Sequence, residues 1–119
     1  MTASCTALVE TALDLSSPKR LHVVGVGGPG MSAIAIVLAE MGHTVSGSDL
    51  REQPVLDRLR AGGVSVHVGH DRAHVDGCDA VTYSTAVPES NMEVEAARAH
   101  GTTVLRRAGM LAAICGHAR

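Results

Sequence analysis

Apolar residues fall into short runs of strand length, each followed by a longer stretch with helical spacing. Leu21, Val23, Val24 and Val26 form a nearly continuous apolar run, the pattern of a central parallel strand covered on both faces. Residues 31–41 are apolar nearly all round, which predicts a buried helix, with Pro29 suited to its first turn and Gly42 to its stop. Residues 44–47 predict a second strand ending at Ser48 and Asp49. Pro54 opens a second helix that puts Val55, Leu56 and Leu59 on one face and Asp57, Arg58 and Arg60 on the other, and Gly62 and Gly63 end it. Residues 64–68 alternate apolar and polar, as an edge strand exposed on one side does. The polar stretch 69–77 predicts a loop or short helix, and 80–84 a fourth strand stopped by Pro88. Residues 89–100 predict a third helix with Val94 and Ala97 inward and Glu93, Glu95 and Arg98 outward. Residues 102–105 are a fifth strand, and a last helix runs over 107–115.

Strand alternating with helix predicts an α/β domain with right-handed crossovers and a parallel sheet. The expected fold is a Rossmann-like, doubly wound, five-stranded sheet in the order 3-2-1-4-5, spanning residues 18–119. Residues 1–17, set apart by Ser16, Ser17 and Pro18, are expected to be a leader that is disordered or forms a short helix over 6–13. In such a sheet the ligand lies beyond the carboxyl ends of strands one and four, where the order reverses. The loops 25–32, 48–49 and 84–88 converge there.

Composition narrows the choice of ligand. A chain of 119 residues with 45% hydrophobic and 18% charged residues suits one globular domain. A net charge of −2 gives no field to draw in nucleic acid or an anionic membrane, and with Tyr83 as the sole aromatic residue there is no platform for stacking bases. The longest apolar stretch, 33–39, is too short to cross a bilayer, and the first fifteen residues lack the basic and apolar regions of a signal peptide. Cys5, Cys78 and Cys115 are odd in number and scattered, which fits reduced thiols and a cytoplasmic location.

The candidate chemistry centres on Gly25-x-Gly27-x-x-Gly30. After a strand and before a helix, the first glycine allows a tight bend, the second lets backbone approach a phosphate, and the third lets helix and strand pack closely. Gly28, Met31 and Ser32 complete the turn, whose helix N-terminus suits an anion. Asp49 lies 19 residues beyond Gly30, the spacing at which an acid can reach a ribose hydroxyl. His70 ends strand three near the same crevice and can meet a ligand's base. His67, His70 and His74 could be weighed as metal ligands, but no carboxylate or thiolate cluster completes a set, so no metal site is expected. Ser84 and Thr85 have no Gly-x-Ser-x-Gly elbow around them and read as hydrogen-bonding groups, not nucleophiles. Arg106 and Arg107 follow strand five, where one of them could meet a phosphate or carboxylate or the two could form a solvated pair at a helix start. No general base has a positioned partner, so no catalytic residue is expected here.

The blocks Leu21-His22-Val23-Val24-Gly25-Val26-Gly27-Gly28-Pro29-Gly30-Met31-Ser32, Val45-Ser46-Gly47-Ser48-Asp49, Gly69-His70, Ser84-Thr85-Ala86-Val87-Pro88 with Asn91, and Arg106-Arg107-Ala108-Gly109-Met110-Leu111 resemble the amino-terminal domain of the UDP-N-acetylmuramate–L-alanine ligases, a branch of the Mur ligase family. The resemblance runs from about Leu21 to Leu111. It implies a cytoplasmic enzyme of peptidoglycan biosynthesis, and so of cell-wall formation, cell shape and division, that uses ATP and magnesium to activate the muramoyl carboxylate for attack by L-alanine. In that family the first domain holds UDP-N-acetylmuramate and needs no cofactor, a central domain holds ATP on a Gly-Lys-Thr loop, and a third helps bind the amino acid. Carried over, residues 25–32 would bind the diphosphate, while Ser48, Asp49, His70, Ser84, Thr85, Ala86 and Arg106 would line the rest of the UDP-sugar site. No Gly-Lys-Thr loop occurs among these residues, so the central ATPase and carboxyl-terminal domains are expected to be missing and the chain to bind without ligating.

Two other readings share these residues. A nicotinamide-dinucleotide domain of a dehydrogenase or redox sensor would use the same turn and Asp49. A noncatalytic partner module would present Met110, Leu111 and Ile114 as an exposed apolar patch.

Overall fold

The computed structural model describes residues 13–117. Strand β1 (Arg20–Val24) leads through the glycine turn into helix α1 (Pro29–Glu40), then β2 (Thr44–Asp49) and α2 (Pro54–Ala61). The edge strand β3 (Ser65–Val68) is followed by a single 3-10 turn, Arg72–Val75, where a full crossover helix could stand. The chain continues through β4 (Ala80–Tyr83), α3 (Met92–Ala99), β5 (Thr103–Arg106) and α4 (Arg107–His117). The strands pair in parallel in the order β3-β2-β1-β4-β5, as the sequence pattern predicts.

One face of the sheet is covered by α1, α2 and α4, which bury Met31, Ile34, Leu38, Leu56, Leu59 and Met110 against Leu21, Val23 and Val45. The other is covered by α3 and the 3-10 turn, which bury Val94, Ala97 and Val75 against Val24, Val81 and Tyr83. Leu15, at 4% exposure, is part of the first core, so the stretch 13–17 packs with the domain. The leader helix expected over 6–13 lies outside the described residues except for Leu13. No helix among the described residues is long and apolar enough to cross a membrane.

Two expectations are corrected. Glu93, expected to face solvent, is fully buried, because α3 turns Glu93, Val94, Ala96 and Ala97 together toward the sheet. Met110, expected in an exposed patch, is also fully buried, packed in the first core while Leu111 stays 41% exposed.

The turn is fitted to the sheet at Gly47. A Cβ at that position on β2 would lie 2.6–2.8 Å from the Cβ and both Cγ atoms of Val26. Gly47→Ala is therefore expected to lower stability by about 1–3 kcal/mol through overpacking. Gly116→Ala on α4, where a Cβ meets open space, should be neutral or stabilising by up to about 1 kcal/mol. Urea denaturation midpoints of the two variants check this pair.

Candidate functional site

The backbone of the glycine turn is tied to the end of β2. Gly25, at φ +78°, and Val26 donate their N–H groups to the Ser48 carbonyl at 2.9 and 3.0 Å. The Gly27 N–H donates to Asp49 Oδ2 at 2.8 Å, and Asp49 Oδ1 accepts from the Leu50 N–H at 2.7 Å. A Cβ on Gly27 would lie 2.6 Å from Asp49 Oδ2 and 2.5 Å from Gln53 Nε2. A side chain at 27 would displace the ends of Asp49 and Gln53 from the turn. Asp49 braces the turn through Oδ2 and its own following peptide through Oδ1.

Helix α1 starts with Gly28 as its N-cap and Pro29 as its first residue. The Ser32 N–H donates to the Gly28 carbonyl at 2.8 Å, and Ser32 Oγ donates to the Pro29 carbonyl at 3.1 Å. The Gly30 and Met31 N–H groups precede that ladder and point out of the helix start, whereas Pro29 has no N–H to offer. A Cβ on Gly30 would sit 2.5 Å from Arg107 Nη1, so the guanidinium lies directly on this turn. A cation at the positive end of a helix dipole is unfavourable until an anion stands between them.

The other loops close the crevice. Ser84 Oγ accepts from the Ala86 N–H at 3.1 Å, and the Val87 N–H donates to the Ser84 carbonyl at 2.9 Å, leaving Thr85 and Ala86 exposed at the tip. Arg106 takes a different partner from Arg107. It pairs with Glu89, which also accepts from Tyr83 Oη at 2.8 Å and pairs with Arg98 at 2.9 Å. The Tyr83 hydrogen bond, with help from Arg98 and Arg106, holds the Glu89 carboxyl below the usual range.

Behind the crevice lies a polar network that the outward placement of Glu93 conceals in sequence. Glu93 Oε1 accepts from His22 Nε2 at 2.8 Å and from Ser48 Oγ at 2.6 Å. Its Oε2 accepts from the Asp71 N–H at 3.0 Å and from His74 Nδ1 at 2.6 Å, and stands 3.4 Å from His70 Nδ1. His22 Nδ1 meets Ser46 Oγ at 2.7 Å, and the His67 ring stacks on His74 with centroids 4.0 Å apart. Burial alone would push the Glu93 carboxyl up, but the bonds from His22, Ser48 and Asp71 and the charge on His22 outweigh it and hold it far below the usual range. His22, His74 and Glu93 bring one donor atom each within 4.8 Å. Each Glu93 oxygen already accepts two hydrogen bonds, so the trio is satisfied as a hydrogen-bonded cluster without a cation.

Against known proteins, the profile described as "Mur ligase family, catalytic domain" matches residues 20–119. The chain belongs to the Mur ligase family. It is 53% identical over 95 residues to a UDP-N-acetylmuramate–L-alanine ligase of Symbiobacterium thermophilum, covering 79% of this chain and 20% of that one. It is 47% identical over 100 residues to the enzyme of that name from Chlorobium phaeovibrioides, covering 83% and 21%. Among solved structures it is similar to the UDP-N-acetylmuramate-alanine ligase MurC of Thermotoga maritima, with a TM-score of 0.71 and 32% identity over 76% of this chain and 21% of that one. The chain spans about a fifth of the length of the curated relatives it matches.

In this Mur ligase domain the structure gathers Gly25, Gly27, Gly28, Gly30, Ser48, Asp49 and His70 at one end of the sheet. Met31 and Ser32 turn their side chains inward and offer backbone only. The sequence pattern places Arg106 in the site, whereas Arg106 pairs with Glu89 and Arg107 lies on the turn; Gln53 carries no signal in the pattern, and the charge of Glu93 carries the wrong one. The available signal for Glu93 was its helical spacing to the apolar Ala96 and Ala97, which share its face.

Acid should expose this network. Glu93 is depressed in the folded state, so its contribution is complete above the unfolded value of 4.5 and is lost as pH falls below it. Burial, with His74 and His22 beside it, pushes His67 below its ordinary 6.5, so the unfolded chain takes up that proton first. Stability is expected to fall gently below pH 6.5 and steeply below pH 4.5, and Glu93→Gln to remove the steep limb while costing about 3–5 kcal/mol at pH 7. Guanidinium midpoints across pH measure both.

Proposed function

We propose that this chain is the UDP-N-acetylmuramate-binding domain of an ATP-dependent ligase that joins L-alanine to UDP-N-acetylmuramate in cytoplasmic peptidoglycan biosynthesis. The observation that carries the reading is Arg107 lying on Gly30 at the N-terminus of α1. Two unladdered N–H groups, a helix dipole and a guanidinium converge on one spot, which is a receptor for a diphosphate. The bound anion would also relieve the repulsion between Arg107 and the helix end. Asp49 holds the turn in shape, His70 borders the nucleoside side above the fully buried Ser48, and the 84–86 tip borders the sugar.

The chemistry of ligation belongs elsewhere in a full-length ligase. Lys19 is the sole lysine and no Gly-Lys-Thr loop is present, so these residues do not fit ATP and its magnesium, and they bind and orient only. The central ATPase domain of such a ligase is the implied partner. A nicotinamide dinucleotide would use the same turn and Asp49, whose oxygens each accept one main-chain N–H and keep a lone pair, and titration with the two ligands separates the readings.

UDP-N-acetylmuramate at a hundredfold excess over its Kd is expected to stabilise the chain by about 2.7 kcal/mol, with no comparable effect from NADH. Arg107→Met should weaken UDP-N-acetylmuramate about tenfold to a hundredfold, the loss of one charge-assisted hydrogen bond, and Arg106→Met much less. Thermal or urea unfolding with each ligand reads the stabilisation, and isothermal titration reads the two variants. A shift with NADH and none with the UDP-sugar would overturn the assignment.

A further inference from the structure

The protons of the buried network can be assigned from one fact, that an ionised carboxylate only accepts. Ser48 Oγ is 2.6 Å from Glu93 Oε1, so its single proton points at Glu93. The hydroxyl then has only lone pairs left for His70 Nδ1, 3.0 Å away on its other side. Glu93 Oε2, at 3.4 Å from the same nitrogen, also only accepts. Every neighbour of His70 Nδ1 is therefore an acceptor, and Nδ1 must carry the ring proton. In the neutral ring Nε2 is then bare, and among the described residues nothing hydrogen-bonds to it. The side chain is 11% exposed, and His70 stands two residues beyond the carboxyl end of β3.

We propose that Glu93 and Ser48 are positioning residues that lock His70 in its Nδ1–H tautomer, so that Nε2 faces the bound ligand as a hydrogen-bond acceptor. The group it selects is a donor, the imide N–H of a uracil or a sugar hydroxyl. A phosphate oxygen is rejected, since it too only accepts. That His70 meets the ligand rests on the binding function proposed above; the tautomer does not. Ser48 couples the two parts of the site, because its carbonyl holds Gly25 and Val26 while its hydroxyl orients His70.

The test is a long-range proton–nitrogen correlation spectrum of the ligand-free 119-residue chain labelled with 15N-histidine at pH 8. The expected spectrum has His70 Nδ1 protonated and Nε2 bare. A protonated Nε2, or averaging between the two forms, overturns the proposal. Ser48→Ala should average the His70 signals while unfolding stays cooperative, and should weaken UDP-N-acetylmuramate about tenfold; an unchanged His70 pattern removes Ser48 from the role. Saturation with UDP-N-acetylmuramate should move the His70 Nε2 resonance as it accepts, and a still resonance in the saturated chain overturns the acceptor role. A preference for UDP over CDP assigns the donor to the imide, and equal binding assigns it to a hydroxyl. If the wild-type chain binds no UDP-sugar, the function proposed above falls, while the ligand-free spectrum still decides the tautomer.

Discussion

A single buried carboxylate, Glu93, adds polar ties among β1, β2, α3 and the 3-10 segment to the apolar contacts that already join them. Its donors come from β1 through His22, from β2 through Ser48, and from the 3-10 segment and its approach through Asp71 and His74. Desolvating one carboxylate costs several kcal/mol, and only a full set of charge-assisted bonds offsets that. The position of Glu93 in the first turn of α3 adds the favourable end of that helix's dipole. The need is local. Where doubly wound sheets usually carry a helix between strands three and four, this one has a four-residue turn with Val75 as its buried apolar anchor. Polar bonds to Glu93 do there what an apolar helix face does elsewhere in the sheet.

The same network reaches the ligand end through Ser48. Its main chain fixes the glycine turn and its side chain is held by Glu93, so the turn and the histidine crevice share one support. Asp49, the next residue, adds the second brace at Gly27. The geometry of the glycine turn is thus set from beneath, by β2. Arg107 alone among the charged groups at the turn is exposed and anchored by no ion pair among the described residues, and it is the group a ligand can recruit.

Much of this was legible in the chain. Strand order, the turn with Pro29 and Gly42 bracketing α1, and the edge character of β3 follow from local rules about period, glycine and proline. Three features were not. Glu93 was assigned outward because charge was weighed above periodicity, although its i, i+3 and i+4 neighbours Ala96 and Ala97 were apolar. The spacing of Asp49 gives its position and not its direction, and its carboxylate accepts from the Gly27 and Leu50 N–H groups. Arg106 and Arg107 are adjacent, and which one reaches the turn depends on where β5 ends and α4 begins, a boundary that periodicity places only within a residue or two.

Tyr83 gives the molecule an optical property of its own. It is the chain's sole aromatic residue outside the histidines, its ring is 2% exposed, and the guanidinium carbons of Arg98 and Arg106 lie 5.8 and 5.4 Å from its centroid. Near-ultraviolet absorbance and intrinsic fluorescence therefore originate from one ring at the carboxyl end of β4, beside the loop that borders the crevice. The protein carries its own reporter at that corner, with no background from any other.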